Sequence, residues 1–180
     1  KPIGRKSYGS IPHFIGSRLG PADHHCSPGQ QIICTEKKRD KHDEIFVQEK
    51  LDGGNVGIAK VDGKILAITR AGYLAETSPY RTHHAFKIFV EDNYVRFDKV
   101  LNEGERLCGE WLLTSVGTKY NLPHEPLVIF DLMTGSDRIP LNALYERLKG
   151  EFIMPRLIGV GCTSVEQAVK EISISGHGAI

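Results

Sequence analysis

A lysine two residues ahead of an Asp-Gly pair is the side chain of this 180-residue sequence best placed to do chemistry. It lies in Val47-Gln48-Glu49-Lys50-Leu51-Asp52-Gly53-Gly54-Asn55, after the apolar run Ile45-Phe46-Val47 and before a second one, Val56-Gly57-Ile58-Ala59. Asp-Gly and Gly-Gly are turn signals, because glycine takes positive φ without steric cost. Lys50 is therefore predicted at the end of a strand, beside a loop rich in backbone N–H groups, which suits a phosphate. An amine held there attacks phosphorus if its surroundings leave part of it neutral. The same short pattern occurs in plain hairpins with a solvated lysine, and spacing alone does not separate the two.

Other residues stand out against their surroundings. Glu110 lies between Leu107 and Trp111 on an apolar strand, so it needs a partner or a polar pocket. Its neighbour Gly109 marks a close approach of another group inside that strand. Arg70, before Ala71-Gly72, is expected to face the loop end of the sheet, and Asp131 alone breaks the run Leu127 to Met133. His24-His25-Cys26 with Cys34 matches no standard zinc spacing.

These side chains need elements to hold them. Residues 1–30 read as an irregular segment, basic at Lys1-Pro2-Ile3-Gly4-Arg5-Lys6 and then punctuated by glycine and proline; with His13 and Arg18 it either lines a substrate groove or is solvated. Gln31 to Thr35 is a short strand candidate, and the charge run 36–43 a solvated connection. Segments 45–50, 55–61 and 64–70 are predicted as strands joined by turns, the second at Asp62-Gly63. Ser78-Pro79 is expected to open a helix to about residue 93, with Phe86, Phe89 and Val90 on its core face. A short helix at roughly 94–102 follows. Strands are expected at 105–113 and 127–133, with a loop over 115–123 between them. Pro140 starts a helix that Gly150 stops, 152–161 is a further strand, and Thr163 with Glu166 forms a capping box for the last helix. Residues 173–180 read as a loop. Hairpin-linked strands argue against a doubly wound parallel sheet. The fold class is α+β, with antiparallel sheets and packed helices.

Composition is that of a soluble globular protein, with 40% hydrophobic and 25% charged residues and a net charge of +1. Bulk charge thus neither announces nor excludes a nucleic-acid surface. The four cysteines form no CxxC pair and no disulfide framework, which suits reduced thiols in a cytoplasmic protein. No apolar run is long enough to span a membrane.

Taken in order, Glu49-Lys50-Leu51-Asp52-Gly53-Gly54-Asn55, Thr69-Arg70-Ala71-Gly72, Cys108-Gly109-Glu110-Trp111 and Val128-Ile129-Phe130-Asp131 resemble the covalent nucleotidyltransferase superfamily of polynucleotide ligases and mRNA capping enzymes. Within it the chain is most similar to ATP-dependent RNA ligases, which carry Asn where Asn55 stands. The resemblance covers about residues 45–135. It implies an ATP-grasp-like nucleotidyltransferase domain of the ligase and capping-enzyme type, taken as one domain over 1–180 with 1–30 as its irregular N-terminal segment. It implies ATP and Mg2+ as cofactors and RNA ends as partners, in a nicked duplex or a cleaved transfer RNA. Lys50 would attack the α-phosphate of ATP, and the resulting lysine–AMP would pass AMP to a 5′-phosphate that a 3′-hydroxyl then seals. Asp52 would hold water around the magnesium ion, Glu110 would accept from the ribose hydroxyls, and Phe130 would stack on adenine. Arg70 and Asn55 would contact phosphate or ribose, or help place the substrate ends, and Glu49 would lie near the adenine edge through its main chain.

The superfamily's later Glu-Gly strand and its strand with two lysines have no counterpart here. Gly176-His177-Gly178 stands about where the first is due. The expectation is a domain short of its C-terminal strands, with an incomplete catalytic set. A DNA ligase, a capping-type enzyme and a non-catalytic module that binds nucleic-acid ends are the alternatives.

Overall fold

The computed structural model describes residues 1–21, 23–113 and 122–175. In chain order the elements are α1 (Pro28–Thr35), β1 (Phe46–Gln48), β2 (Gly54–Val61), β3 (Lys64–Thr69), a 3-10 turn (Ala75–Thr77), α2 (Arg81–Asp92), α3 (Tyr94–Val100), β4 (Glu105–Trp111), β5 (Leu127–Thr134), β6 (Asp137–Arg138), α4 (Leu141–Leu148), β7 (Leu157–Val160) and α5 (Val165–Ser175). The chain divides into two compact units, Lys1–Gly9 with Asp52–Met154, and Ser10–Leu51 with Pro155–Ile180.

The first unit grows from the hairpin that Asp62-Gly63 predicts. Both residues have positive φ, 50° and 70°, the turn that matches the twist of paired strands. Glu103 accepts both of their N–H groups, at 2.6 and 3.0 Å. Five antiparallel strands follow in the order β3-β2-β4-β5-β6. One face carries Val56, Ile58, Ala67, Leu107, Trp111, Leu127, Ile129 and Leu132, packed with Phe86, Val90 and Phe97 of α2 and α3 and with Leu144 and Leu148 of α4. Asn93 ends α2 and starts α3.

One irregularity sets the other face. Ile129 pairs with Gly109 and Asp131 pairs with Cys108, so Phe130 is the extra residue of a β-bulge. The positions of β5 that face the main core step from Leu127 to Ile129 and then to Leu132, a jump of two and then three. The bulge turns Phe130 away from the helices, to a small cluster with Tyr8, Cys108 and Met133. Gly109 is a glycine for this reason: a Cβ there would sit 2.8 Å from the Val128 carbonyl oxygen. The close approach expected at Gly109 is that of the neighbouring strand.

In the second unit β1 pairs antiparallel with β7, Phe46 opposite Val160. Segment 45–50 was expected to form a hairpin with 55–61, and it does not: its partner is β7, in a separate two-stranded sheet. Gln31 to Thr35, expected as a strand, belongs to α1. Ser27 decides this, because its hydroxyl accepts from Gln30 N–H while the Gln30 side chain accepts from Ser27 N–H, and Pro28 sits in the first turn. The last helix is capped by Ser164, whose Oγ accepts from Gln167 N–H at 3.2 Å, rather than by Thr163. Likewise α2 starts at Arg81, after Ser78-Pro79, and of the expected strand 152–161 only 157–160 forms a strand, with Ile153 in a single bridge to Val128. The loop expected over 115–123 lies mostly outside the described residues, as do 176–180. Among the described residues no helix is long and apolar enough to cross a membrane.

Candidate functional site

The predicted site residues fall into two groups, parted between Leu51 and Asp52. Glu49 and Lys50 belong to the second unit, just past β1. Lys50 is exposed. Glu49 is tied down: its N–H donates to Arg156 carbonyl oxygen at 3.0 Å, and Arg156 Nε lies 3.8 Å from Glu49 Oε2. Its side chain is only 10% exposed, and its other oxygen, Oε1, is buried with no hydrogen-bond partner. A buried carboxylate oxygen left unpaired costs about 1–3 kcal/mol.

The first unit holds Asp52, Asn55, Arg70, Glu110 and Phe130. Asn55 on β2 stands directly opposite Glu110 on β4. Asn55 Oδ1 is buried and also lacks a partner. Glu110 Oε1 accepts the Gly53 N–H at 3.0 Å, which answers the need of a carboxylate on an apolar strand and fixes the turn after Lys50. Gly53 leaves room for this: a Cβ there would meet the Trp111 carbonyl oxygen at 2.6 Å. By strand alternation Asn55, Gly57, Cys108 and Glu110 share the face that Phe130 joins through its bulge. Asp52 is exposed beside the turn.

Arg70 leaves the end of β3 and its guanidinium donates to Gly9 carbonyl oxygen at 3.0 Å. Phe130 meets Tyr8 edge to face, with ring centres 5.1 Å apart. The Tyr8 hydroxyl donates to Asp131 Oδ2 at 2.6 Å. Burial, then this bond and the Asp131 charge, push the Tyr8 pKa upward. Arg106 is almost fully buried; its Nε donates to Ser7 carbonyl oxygen at 2.8 Å and its Nη2 to Gly135 carbonyl oxygen at 2.9 Å. Ser7, Tyr8 and Arg106 were missed by sequence reasoning. A tyrosine in a glycine-punctuated segment carries no periodic signal, and Arg106, the second residue of β4, follows Glu105 and reads as the charged start of a strand.

Among the described residues no three His, Cys, Asp or Glu side chains converge as metal ligands. A magnesium ion that keeps most of its waters needs only one or two carboxylates. Asp52 is an exposed carboxylate.

A family model described as RNA ligase matches residues 43–171, which include every one of these residues except those before position 43. The chain belongs to the RNA ligase family. Solved RNA ligases resemble it. An apo mutant of the Naegleria gruberi RNA ligase aligns over 81% of this chain and 43% of its own, at 18% identity and a TM-score of 0.54. A mutant of the same ligase with ATP and Mn aligns over 77% and 42%, at 17% identity and a TM-score of 0.54. Form 2 of an archaeal ATP-dependent RNA ligase is 24% identical over 74% of this chain and 36% of that one, with a TM-score of 0.47. By sequence, the uncharacterized protein MJ0414 of Methanocaldococcus jannaschii is 30% identical over 70 residues, 39% of this chain and 16% of that protein. The chain thus spans less than half the length of each. The Naegleria structures share with this chain its mixture of helices and antiparallel sheet.

Proposed function

We propose that this RNA ligase-family chain carries the ATP-grasp-like nucleotidyltransferase part of an ATP-dependent RNA ligase. The observation that carries the reading is the family match over residues 43–171, which spans both Lys50 and the Asn55–Glu110 pair. The neutral Lys50 amine attacks the α-phosphorus of ATP. An N–P bond forms, the bond to the β-phosphate oxygen breaks, pyrophosphate leaves with that electron pair, and the surplus amine proton goes to solvent. AMP then moves from Lys50 to a 5′-phosphate, and a 3′-hydroxyl displaces it to seal the strand.

The other residues bind and orient. Glu110 accepts from the ribose hydroxyls with the oxygen capacity it does not spend on Gly53. Asn55 brings its buried, unpartnered oxygen to the nucleotide, Glu49 contributes its main chain near the adenine edge, Arg70 bonds phosphate or ribose, and Phe130 stacks on adenine. Asp52 would hold magnesium through water, and that ion, when bound, neutralises charge on the phosphate oxygens. The ATP and Mn named with the Naegleria ligase support a nucleotide and a divalent ion here.

The test is transfer. The protein at its natural full length, charged with labelled AMP, is given 5′-phosphate RNA or DNA in nicked and single-stranded form. AMP-capped RNA followed by sealed RNA is expected. Preferential sealing of DNA would make it a DNA ligase, and label that never leaves the lysine would contradict end joining.

A further inference from the structure

The segment ahead of the irregular N-terminal loop is built into the sheet face that carries Asn55, Glu110 and Phe130. Ser7 is fully buried and Tyr8 is 6% exposed. Ser7 N–H donates to Arg70 carbonyl oxygen at 2.9 Å, and the Arg70 guanidinium donates back to Gly9. Ser7 carbonyl oxygen accepts from Arg106, and the Cys108 thiol donates to the same oxygen at 3.7 Å. Arg5 donates to Ser136 Oγ at 2.7 Å.

Two glycines give this segment its seat. At Gly57 a Cβ would fall on the Ser7 hydroxyl, and at Gly72, where φ is +83°, a Cβ would fall on the Arg5 carbonyl oxygen. Arg106 fixes how firmly the segment is held. It is buried and none of the ion pairs among the described residues includes it, so backbone carbonyls of Ser7 and Gly135 satisfy its guanidinium. Pulling the segment off would strip a buried cation of an acceptor, which is costly. The segment is therefore a fixed part of this face.

Within it, Tyr8 touches what the nucleotide needs. Its ring meets the edge-to-face geometry that orients aromatic pairs, against a Phe130 that a bulge has already turned outward. Its hydroxyl is anchored on Asp131, the next residue of the same bulge, and Arg138 lies over its ring at 5.6 Å. Phe130 remains partly exposed beneath it. Ser7 Oγ, beside Gly57 on the same strand as Asn55, is a further buried oxygen with no partner.

We infer that Tyr8 is a positioning residue for nucleotide binding, its ring and its Asp131-anchored hydroxyl holding Phe130 in the orientation that receives the base. This rests on the reading above, in which Phe130 stacks on adenine. A ring held in one plane before binding spares the nucleotide the cost of ordering it. The effect falls on the apparent KM for ATP in lysine–AMP formation rather than on its maximal rate, because Tyr8 acts through Phe130, the ring assigned to the base.

The experiment follows AMP attachment against ATP concentration in the full-length protein, its Tyr8→Phe form and its Tyr8→Ala form, with thermal midpoints recorded for all three. Tyr8→Ala is expected to raise the KM by roughly tenfold and to keep the maximal rate within about twofold. Tyr8→Phe, which keeps the ring and loses its anchor, is expected to raise it about threefold. Unchanged KM values in both variants overturn the inference. A KM that falls in Tyr8→Ala makes the ring a competitor for the Phe130 face and overturns it too. So does a loss of rate in proportion to the unfolded fraction. If Tyr8→Ala does not fold, Tyr8→Phe decides by the same KM criterion. A wild-type protein that takes up no AMP overturns the proposed function itself, and this inference with it, a result distinct from unchanged variants of an active protein.

Discussion

At the scale of single residues, Cys108 shows how the site face differs from solvent. Burial pushes its thiol up to about 12, with the Asp131 charge adding to the shift and Arg106 opposing it. The thiolate is the reactive form. At pH 8, alkylation of the native protein should therefore spare Cys108 and modify Cys26, while all four cysteines react in denaturant; equal native rates at Cys108 and Cys26 would contradict the burial. A folded-state pKa above the unfolded one means stability present in full below about pH 8.5 and fading as pH rises toward 12. Glu110 gives the second residue-level prediction. Glu110→Gln keeps an acceptor for Gly53 N–H, so urea unfolding should move by less than about 1 kcal/mol, while nucleotide affinity falls with the lost charge. The reverse pattern would make Glu110 a purely structural carboxylate. Much of this was legible. A lysine before Asp-Gly and a glutamate among apolar residues are visible as exceptions to local pattern. Tyr8 was not, because its acceptor Asp131 lies 123 residues away.

At the scale of elements, glycines mark where backbones meet. Gly72 combines a positive φ with the Arg5 carbonyl in the space of its missing Cβ. Gly72→Ala should cost more than the roughly 1–3 kcal/mol of a strained φ and loosen segment Lys1–Gly9. Hydrogen exchange at Ser7 N–H, which is bonded to Arg70, reads that loosening directly. Full protection of Ser7 in the variant would show that the seat does not depend on Gly72. The hairpin at Asp62-Gly63 was readable because turn chemistry is local, whereas the cap of the last helix was read one residue early, at Thr163 instead of Ser164. α1 was misread as a strand because Ile32, Ile33 and Cys34 are β-formers, and the Ser27–Gln30 cap, which outweighs them, lies just outside that window. The bulge at Phe130 had no periodic trace in the sequence, since Leu127 to Met133 is a continuous apolar run broken only by Asp131, and the bulge's position depends on a partner strand.

At the scale of the whole molecule, the α+β class and the antiparallel character of the main sheet followed from consecutive strands with hairpin signals, while the strand order, with β4 beside β2, did not. The pairing of β1 with β7 did not, because nothing near Phe46 names Val160 as its partner. Long-range pairing is set by which faces bury together, and that information is spread over the chain. The same limit parted the predicted site residues between two compact units, Glu49 and Lys50 in one and Asn55, Arg70, Glu110 and Phe130 in the other. Family membership rests on the span 43–171 as a whole rather than on any one motif. The measurement that tests the central claim most directly is the intact mass of the full-length protein after incubation with ATP and magnesium, alongside its Lys50→Ala form. A gain of one AMP in the wild-type protein, absent from a folded Lys50→Ala variant, is the predicted result. No gain in the wild-type protein, or a gain that persists without Lys50, would contradict it.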